Sequence, residues 1–391
     1  MPFLFLHLFV LKKNGMKILI LGPANPYRGG IAALNERLAL QLIEEGHEVE
    51  IISFTVQYPN FLFPGKSQFT NTPPPNNLTI TRMINSVNPF NWIKTGRNLR
   101  KRNADLVIVR FWLPFMSPST GTICKIVKNK GTKVIAIVDN LIPHEKRIGD
   151  NILINYFLNQ TDGLLAMSDC VYNDFNLFDN QKPKKLSPHP IYDHYGSLIP
   201  KEEALQKLHL DTAKKYILFF GFIRDYKGLD LLLEAFADQR IDKNKYQLIV
   251  AGEFYANEEK YRKLIEELLI QNDVHLFSEY IPENEVNQFF CASDIIAQPY
   301  KSATQSGVTQ IGYHFEKPML VTNVGGLSEI IEHGKCGYVV DPVASSITEA
   351  LLDFFDNNRE TLFSQEAKKA KDKFSWTNFS KAIFELHKLC S

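Results

Sequence analysis

The chain has 391 residues, more than one typical α/β domain needs and enough for two. Its 45% hydrophobic and 22% charged content is that of a globular enzyme, and a net charge of +1 argues against the broad basic field of a nucleic-acid-binding protein. Five scattered cysteines with no C-x-x-C argue against a disulfide framework or zinc knuckle and suit a reducing cytoplasm.

Residues 1–15, MPFLFLHLFVLKKNG, place their lysines after an apolar run, whereas a signal peptide places charge before it. Met16 is therefore expected to be the natural start, with 1–15 as a non-native or flexible extension; a short membrane-touching tail is the alternative. No run approaches the ~20 apolar residues of a membrane-spanning helix. Lys17–Leu21 reads as a buried strand, PANPYRGG as a loop, Ile31–Glu45 as an amphipathic helix stopped by Gly46, and Glu48–Ser53 as a strand. Together they make a βαβ unit. The stretch from Tyr58 to Asn77, rich in Pro, Phe and Asn, reads as a long loop. Residues 88–103, NPFNWIKTGRNLRKRN, read as a basic helix with aromatics. Such a helix either docks on an anionic membrane surface or presents a solvated face, and charge runs more commonly do the latter.

Further strands are expected at Leu106–Val109, Val134–Val138 and Gly163–Met167, each rich in Val, Ile or Leu, as parallel strands buried on both faces are. The stretch from Pro188 to Leu210 shows no strand and reads as the linker. The pattern then restarts, with strands at Tyr216–Phe220, Gln247–Ala251, Val274–Phe277, Asp294–Gln298 and Met319–Thr322 and helical stretches between them. Alternating β and α in both halves predicts two Rossmann-like, doubly wound parallel-sheet domains, with ligands beyond the carboxyl ends of the strands, in the cleft between the domains.

Four segments carry candidate chemistry. In FFGFIRDYKGLDLLLEAF (219–236), Arg224 and Lys227 lie in a strand-to-helix turn, the arrangement of a pyrophosphate clamp; a solvated turn is the plain alternative. In PYKSATQSGVTQIGYHFEKPMLVTNVGGLSEII (299–331), Ser306-Gly307 precedes a helix from Val308 to Phe315, whose free amides suit an anion, and Thr304, Gln305 and Ser306 add polar groups suited to a sugar or phosphate; a polar surface loop with a routine turn is the plain alternative. Gly29 and Gly30 in GPANPYRGGIA let the backbone approach a ligand closely. Asp139 and Asn140 end a strand in VDNLIPHEKR, with His144 and Glu145 following in the loop. There is no D-x-D and no H-E-x-x-H, so no metal is expected, and the missing G-x-G-x-x-G argues against a dinucleotide dehydrogenase.

The C-terminal half resembles the family 4 retaining glycosyltransferases of the GT-B fold ("glycosyl transferases group 1"). The strings G-x-x-R-x-x-K-G-x-x-x-L-L-x-A from Gly221, A-G-E at 251–253, D-I-I-A-x-P at 294–299, K-P-x-x-x-T-x-V-G-G-L-x-E at 317–329 and G-x-x-G-Y-V-V at 334–340 run in that family's order. The resemblance covers roughly residues 16–390 and is strongest over 216–342. It implies that Arg224 and Lys227 hold a donor diphosphate, and that Ser306, Gly307 and Val308 contact donor phosphate. It implies that GPANPYRGGIA, with Gly29 and Gly30, is the family's first glycine-rich loop. It also implies that the loop carrying His144 faces the cleft, where His144 assists by hydrogen bonding or proton transfer; Asp139, Asn140 and Glu145 would then lie on the acceptor side. One departure is clear. The family's two glutamates fall on Ala303 and Ile311, leaving Thr304, Gln305 and Gln310 as the neighbouring hydrogen-bonding groups.

The expected activity is retaining transfer of a sugar from a nucleotide-sugar donor to a saccharide or lipid-linked acceptor, in cell-surface polysaccharide or glycolipid synthesis. Residues 16–200 would bind acceptor, residues 201–370 donor, and 371–391 would form a helix packing back on the first domain. The expected place is the cytoplasm, with peripheral contact at the inner face of the membrane through 88–103 as an alternative. A sugar-nucleotide epimerase on the same fold and an inactive nucleotide-sugar-binding protein are the rival readings.

Overall fold

The computed structural model describes residues 15–59, 68–70, 73–129, 131–143, 147–178, 181–255, 257–303 and 306–390. The chain divides into two compact units: one of residues 1–137, 143–164 and 384–391, the other of residues 138–142 and 165–383.

The first sheet has seven strands: β1 (Lys17–Leu21), β2 (Glu48–Val56), β3 (Thr79–Asn85), β4 (Leu106–Phe111), β5 (Lys133–Val138), β6 (Gly163–Ala166) and β7 (Lys184–Leu186). They lie in the order β3-β2-β1-β4-β5-β6-β7. β1 is central and parallel to both neighbours, with Ile18 opposite Val49 on one side and Leu106 on the other. Its apolar run KILIL and the wholly buried β4 belong to strands covered on both faces. The helix α1 (Gly30–Glu44) buries Leu34, Leu38 and Leu42, one stripe at helical spacing. α2 (Pro89–Arg100) packs on β3 and on α3 (Ser117–Val127).

The second sheet has six strands: β8 (Lys215–Phe220), β9 (Tyr246–Ala251), β10 (Val274–Phe277), β11 (Ile295–Gln298), β12 (Met319–Thr322) and β13 (Gly337–Val340). Their order is β10-β9-β8-β11-β12-β13. Ile217, Phe219, Leu248, Val250 and Ile295 meet Leu232 and Phe236 of the helix Leu229–Phe236 in one core. Strand order reverses between β8 and β11, so the crevice of this sheet opens at the carboxyl ends of those two strands.

The expected twin Rossmann-like architecture is present. Three edge strands, β3, β7 and β13, were not expected, and the helix Lys201–Lys207 occupies part of the stretch read as linker. Of the long loop after Tyr58, the described residues hold one isolated antiparallel bridge, Tyr27 to Phe69.

Candidate functional site

Polar chemistry concentrates where the second sheet reverses. β8 ends at Phe220; Gly221 follows, and Asp225–Lys227 forms a single 3-10 turn before Gly228. Lys227 is buried, while Arg224, three residues earlier in the same turn, is exposed. The Lys227 ammonium lies 5.5 Å from the centre of the Tyr300 ring, in the loop after β11. It would stand 3.2 Å from a Cβ placed on Gly221, and a Val308 methyl would stand 3.7 Å from the same point. Gly221, Lys227, Tyr300 and Val308 therefore surround one small volume.

Among the described residues no carboxylate pairs with Lys227. Burial first, and then the nearby Arg224 charge, pull its pKa down to about 8. The Arg224 guanidinium lies 5.0 Å from the centre of the Tyr255 ring, a cation–π distance.

Across the volume, Ser306 caps the helix Gly307–His314, its hydroxyl accepting from the Val308 amide at 3.2 Å. The same hydroxyl lies 3.2 Å from the Tyr300 hydroxyl. Burial pushes the Tyr300 pKa well up, so this phenol stays neutral. The first-turn amides of such a helix have no partner within it, and its dipole favours negative charge there. Tyr192 seats the helix start, since a Cβ on Gly307 would come within 2.8 Å of its ring. Two cations, a capped helix start and a neutral phenol are a set suited to a phosphate or diphosphate.

The two loops are tied together. The Lys301 amide donates to the Tyr226 carbonyl at 2.7 Å, and the Lys301 ammonium pairs with Asp230. Tyr226 packs edge-on to Tyr300 at 6.1 Å. Gly228, with φ 68°, lies so close to Pro299 that an added Cβ would meet its carbonyl oxygen at 2.0 Å.

Of the residues expected from sequence, the structure brings Arg224, Lys227, Ser306, Gly307 and Val308 together. Gln310 is fully buried in the same helix, and its amide finds no hydrogen-bond partner among the described residues. Ile311 is buried beside it. Asp139 is buried just after β5, and the Asn140 side-chain oxygen is buried with no hydrogen-bond partner among the described residues. Gly29 precedes α1 with φ 115°, Gly30 opens that helix, and both belong to the first unit. His144, Glu145, Thr304 and Gln305 lie outside the described residues. Sequence reasoning missed Tyr300, Tyr226 and Tyr255. Tyr300 directly follows the D-I-I-A-x-P string, which is the signal that could have found it.

Residues 200–373, which carry Arg224, Lys227, Tyr300 and the helix Gly307–His314, match the family model "Glycosyl transferases group 1". An uncharacterized glycosyltransferase of Methanocaldococcus jannaschii, MJ1178, is 25% identical over 381 residues, covering 92% of this chain and 95% of that protein. The alpha-monoglucosyldiacylglycerol synthase of Streptococcus pneumoniae is 26% identical over 245 residues, or 60% of this chain and 54% of that one. The crystal structure of Anabaena Alr3699/HepE in complex with UDP superposes with a TM-score of 0.72 at 15% identity, covering 95% of this chain and 99% of that one. The last is a likeness of fold.

Proposed function

Taking residues 200–373 as the donor half of a group 1 glycosyltransferase, we propose that the chain transfers a sugar from a nucleoside-diphosphate donor with retention of anomeric configuration. The acceptor is a saccharide or a lipid-linked saccharide, and the setting is cell-surface polysaccharide or glycolipid assembly. The observation that carries this reading is Lys227: a buried ammonium with no carboxylate partner among the described residues, facing the capped start of the helix Gly307–His314. An ammonium held out of water needs an anion, and a departing diphosphate supplies one.

In this reading the bond from the sugar C1 to the diphosphate oxygen breaks, and its electron pair leaves with the nucleoside diphosphate. The acceptor hydroxyl oxygen bonds to C1 on the face just vacated, and its proton passes to the departing phosphate oxygen. Lys227, Arg224 and the helix amides meet the developing charge, and no metal is invoked. The glycolipid setting draws support from the name of the Streptococcus pneumoniae relative, and the UDP bound by the Anabaena protein makes uridine donors the first to try.

The test is nucleoside diphosphate release from candidate sugar nucleotides, with and without acceptor, and the anomeric form of the product by NMR. Release that requires acceptor, with the donor's configuration kept, is expected. Arg224→Ala and Lys227→Ala each lower kcat/KM at least ~10-fold, since a lost charge-assisted contact is worth ~1.5–3 kcal/mol. Wild-type-like rates in both variants remove these residues from the mechanism. One observation favours a second reading: the family's two glutamate positions hold Ala303 and the buried Ile311. Tight donor binding with no turnover on any acceptor would make the chain a nucleotide-sugar-binding protein.

A further inference from the structure

Lys227 rests against a ring instead of a carboxylate. The residue is 9% exposed, and its ammonium lies over the Tyr300 ring, 5.5 Å from the ring centre and inside cation–π range. The acidic groups closest in sequence are engaged elsewhere. Asp225 accepts from the Lys260 ammonium at 3.1 Å and from the Tyr261 hydroxyl at 3.0 Å. Asp230, in the helix that follows, pairs with Lys301 at 2.5 Å. The nearby charge that acts on Lys227 is that of Arg224, a second cation.

The ring itself is firmly held. The Tyr300 carbonyl accepts from the Thr322 hydroxyl of β12 at 2.5 Å. The Tyr300 hydroxyl lies 3.2 Å from the Ser306 hydroxyl, which caps the helix Gly307–His314. Tyr226 packs edge-on against the ring, and its carbonyl accepts from the amide of Lys301, the residue after Tyr300. Tyr300 therefore meets Lys227 with its face and the helix cap with its hydroxyl. Burial favours the neutral amine of a lysine and pulls Lys227 down to about 8. The negative face of an aromatic ring acts the other way and favours the ammonium. An aliphatic side chain of similar bulk would fill the same space and supply no such field.

We propose that Tyr300 is a positioning residue for the diphosphate site, its ring face serving as the resting partner that keeps the Lys227 ammonium charged and in place until an anion arrives. This rests on the reading of the site as a donor diphosphate site. Tyr300 makes and breaks no bond, and its phenol stays neutral because burial pushes its pKa well up. An arriving diphosphate meets a cation already formed and aimed. Binding then need not begin with proton uptake or with the ordering of a long side chain.

The ammonium can be followed by NMR without any ligand, in the full chain isotope-labelled at lysine Cε. The Lys227 signal, identified by its loss in Lys227→Met, should titrate at about pH 8. Tyr300→Phe keeps the ring and should leave that midpoint in place. Tyr300→Leu should lower it by about one pH unit, the size of one desolvated cation–π contact. Circular dichroism establishes that the variants are folded, and Tyr300→Met replaces the leucine variant if that one is not. A leucine midpoint equal to wild type, or one that climbs towards 10.5 as water enters, overturns the proposal. Calorimetry with uridine diphosphate gives a second readout. The affinity lost in Tyr300→Leu should grow from about twofold at pH 7 to about tenfold at pH 9, following the fraction of charged Lys227, while Tyr300→Phe tracks wild type. A loss of one size at every pH makes Tyr300 a packing residue and overturns the proposal. A shifted midpoint in a chain that binds no nucleoside diphosphate would sink the donor reading and keep Tyr300 as the partner of Lys227.

Discussion

Lys227 holds its charge against its surroundings. Burial lowers its pKa from 10.5 to about 8, so the ligand-free folded state binds fewer protons than the unfolded chain between those values. The destabilisation is therefore complete below about pH 8 and is relieved as pH climbs towards 10.5. A bound diphosphate acts in the opposite sense, because it favours the ammonium. Affinity for a nucleoside diphosphate should hold below pH 8 and fall about tenfold per pH unit above it, as the free site loses its proton. Titration calorimetry from pH 7 to 10 reads this directly. Lys227→Met should weaken binding throughout and flatten the decline; a variant with the wild-type slope would assign the titration to another group. The spacing of Arg224 and Lys227 was legible in the sequence, yet the opposite fates of the two cations were not. Tyr300, from a loop after a different strand, closes over Lys227, and a contact so distant in sequence leaves no local pattern.

At the scale of elements, the turn 224–228 works because it can press against the loop after β11. Gly228 makes this contact with φ 68° and an added Cβ 2.0 Å from the Pro299 carbonyl oxygen. Gly228→Ala should lower stability by about 2 kcal/mol or more and weaken diphosphate binding, because the turn must lift from the loop. Gly334 provides the control: its φ is 74°, but nothing lies within 4 Å of an added Cβ. Gly334→Ala should cost about 1 kcal/mol of backbone strain and leave binding unchanged. Urea denaturation with a parallel binding isotherm separates the two, and equal effects on binding would sink the argument. The interior strands were readable from sequence because both faces are covered: β4 is buried along its whole length. β3, TITRMIN, pairs only with β2 and has a single buried residue, so it shows no apolar run. β7 has three residues, KKL, all partly exposed. Edge strands owe their place to a neighbour's hydrogen bonds more than to their own side chains, and a single sequence carries little trace of them.

Over the whole molecule, Arg224, Lys227, Tyr300, Ser306 and the start of the helix Gly307–His314 belong to the unit of residues 138–142 and 165–383. Bound ligand stabilises what it contacts, by about 2.7 kcal/mol at a hundred times Kd. Hydrogen exchange with saturating nucleoside diphosphate should slow amides over 221–228 and 306–310 and leave the β1 and β4 amides unchanged. Protection spread evenly over both units, or absent from those two segments, would contradict a site built at the β8 and β11 ends.

The first unit is closed by the last part of the chain. Within the helix Trp376–Leu389, the Phe384 ring stacks on His47 with centres 4.8 Å apart. Leu386 and Cys390 fill the space beside Gly163, where an added Cβ would come within 2.7 Å of the Cys390 sulfur. A nascent chain on the ribosome can assemble the strands of this unit early, but these contacts wait until the tail has emerged, after the whole second sheet has been made. Until then, the surfaces around His47 and Gly163 are bare, and a chain stalled short of residue 384 exposes them to chaperones and proteases.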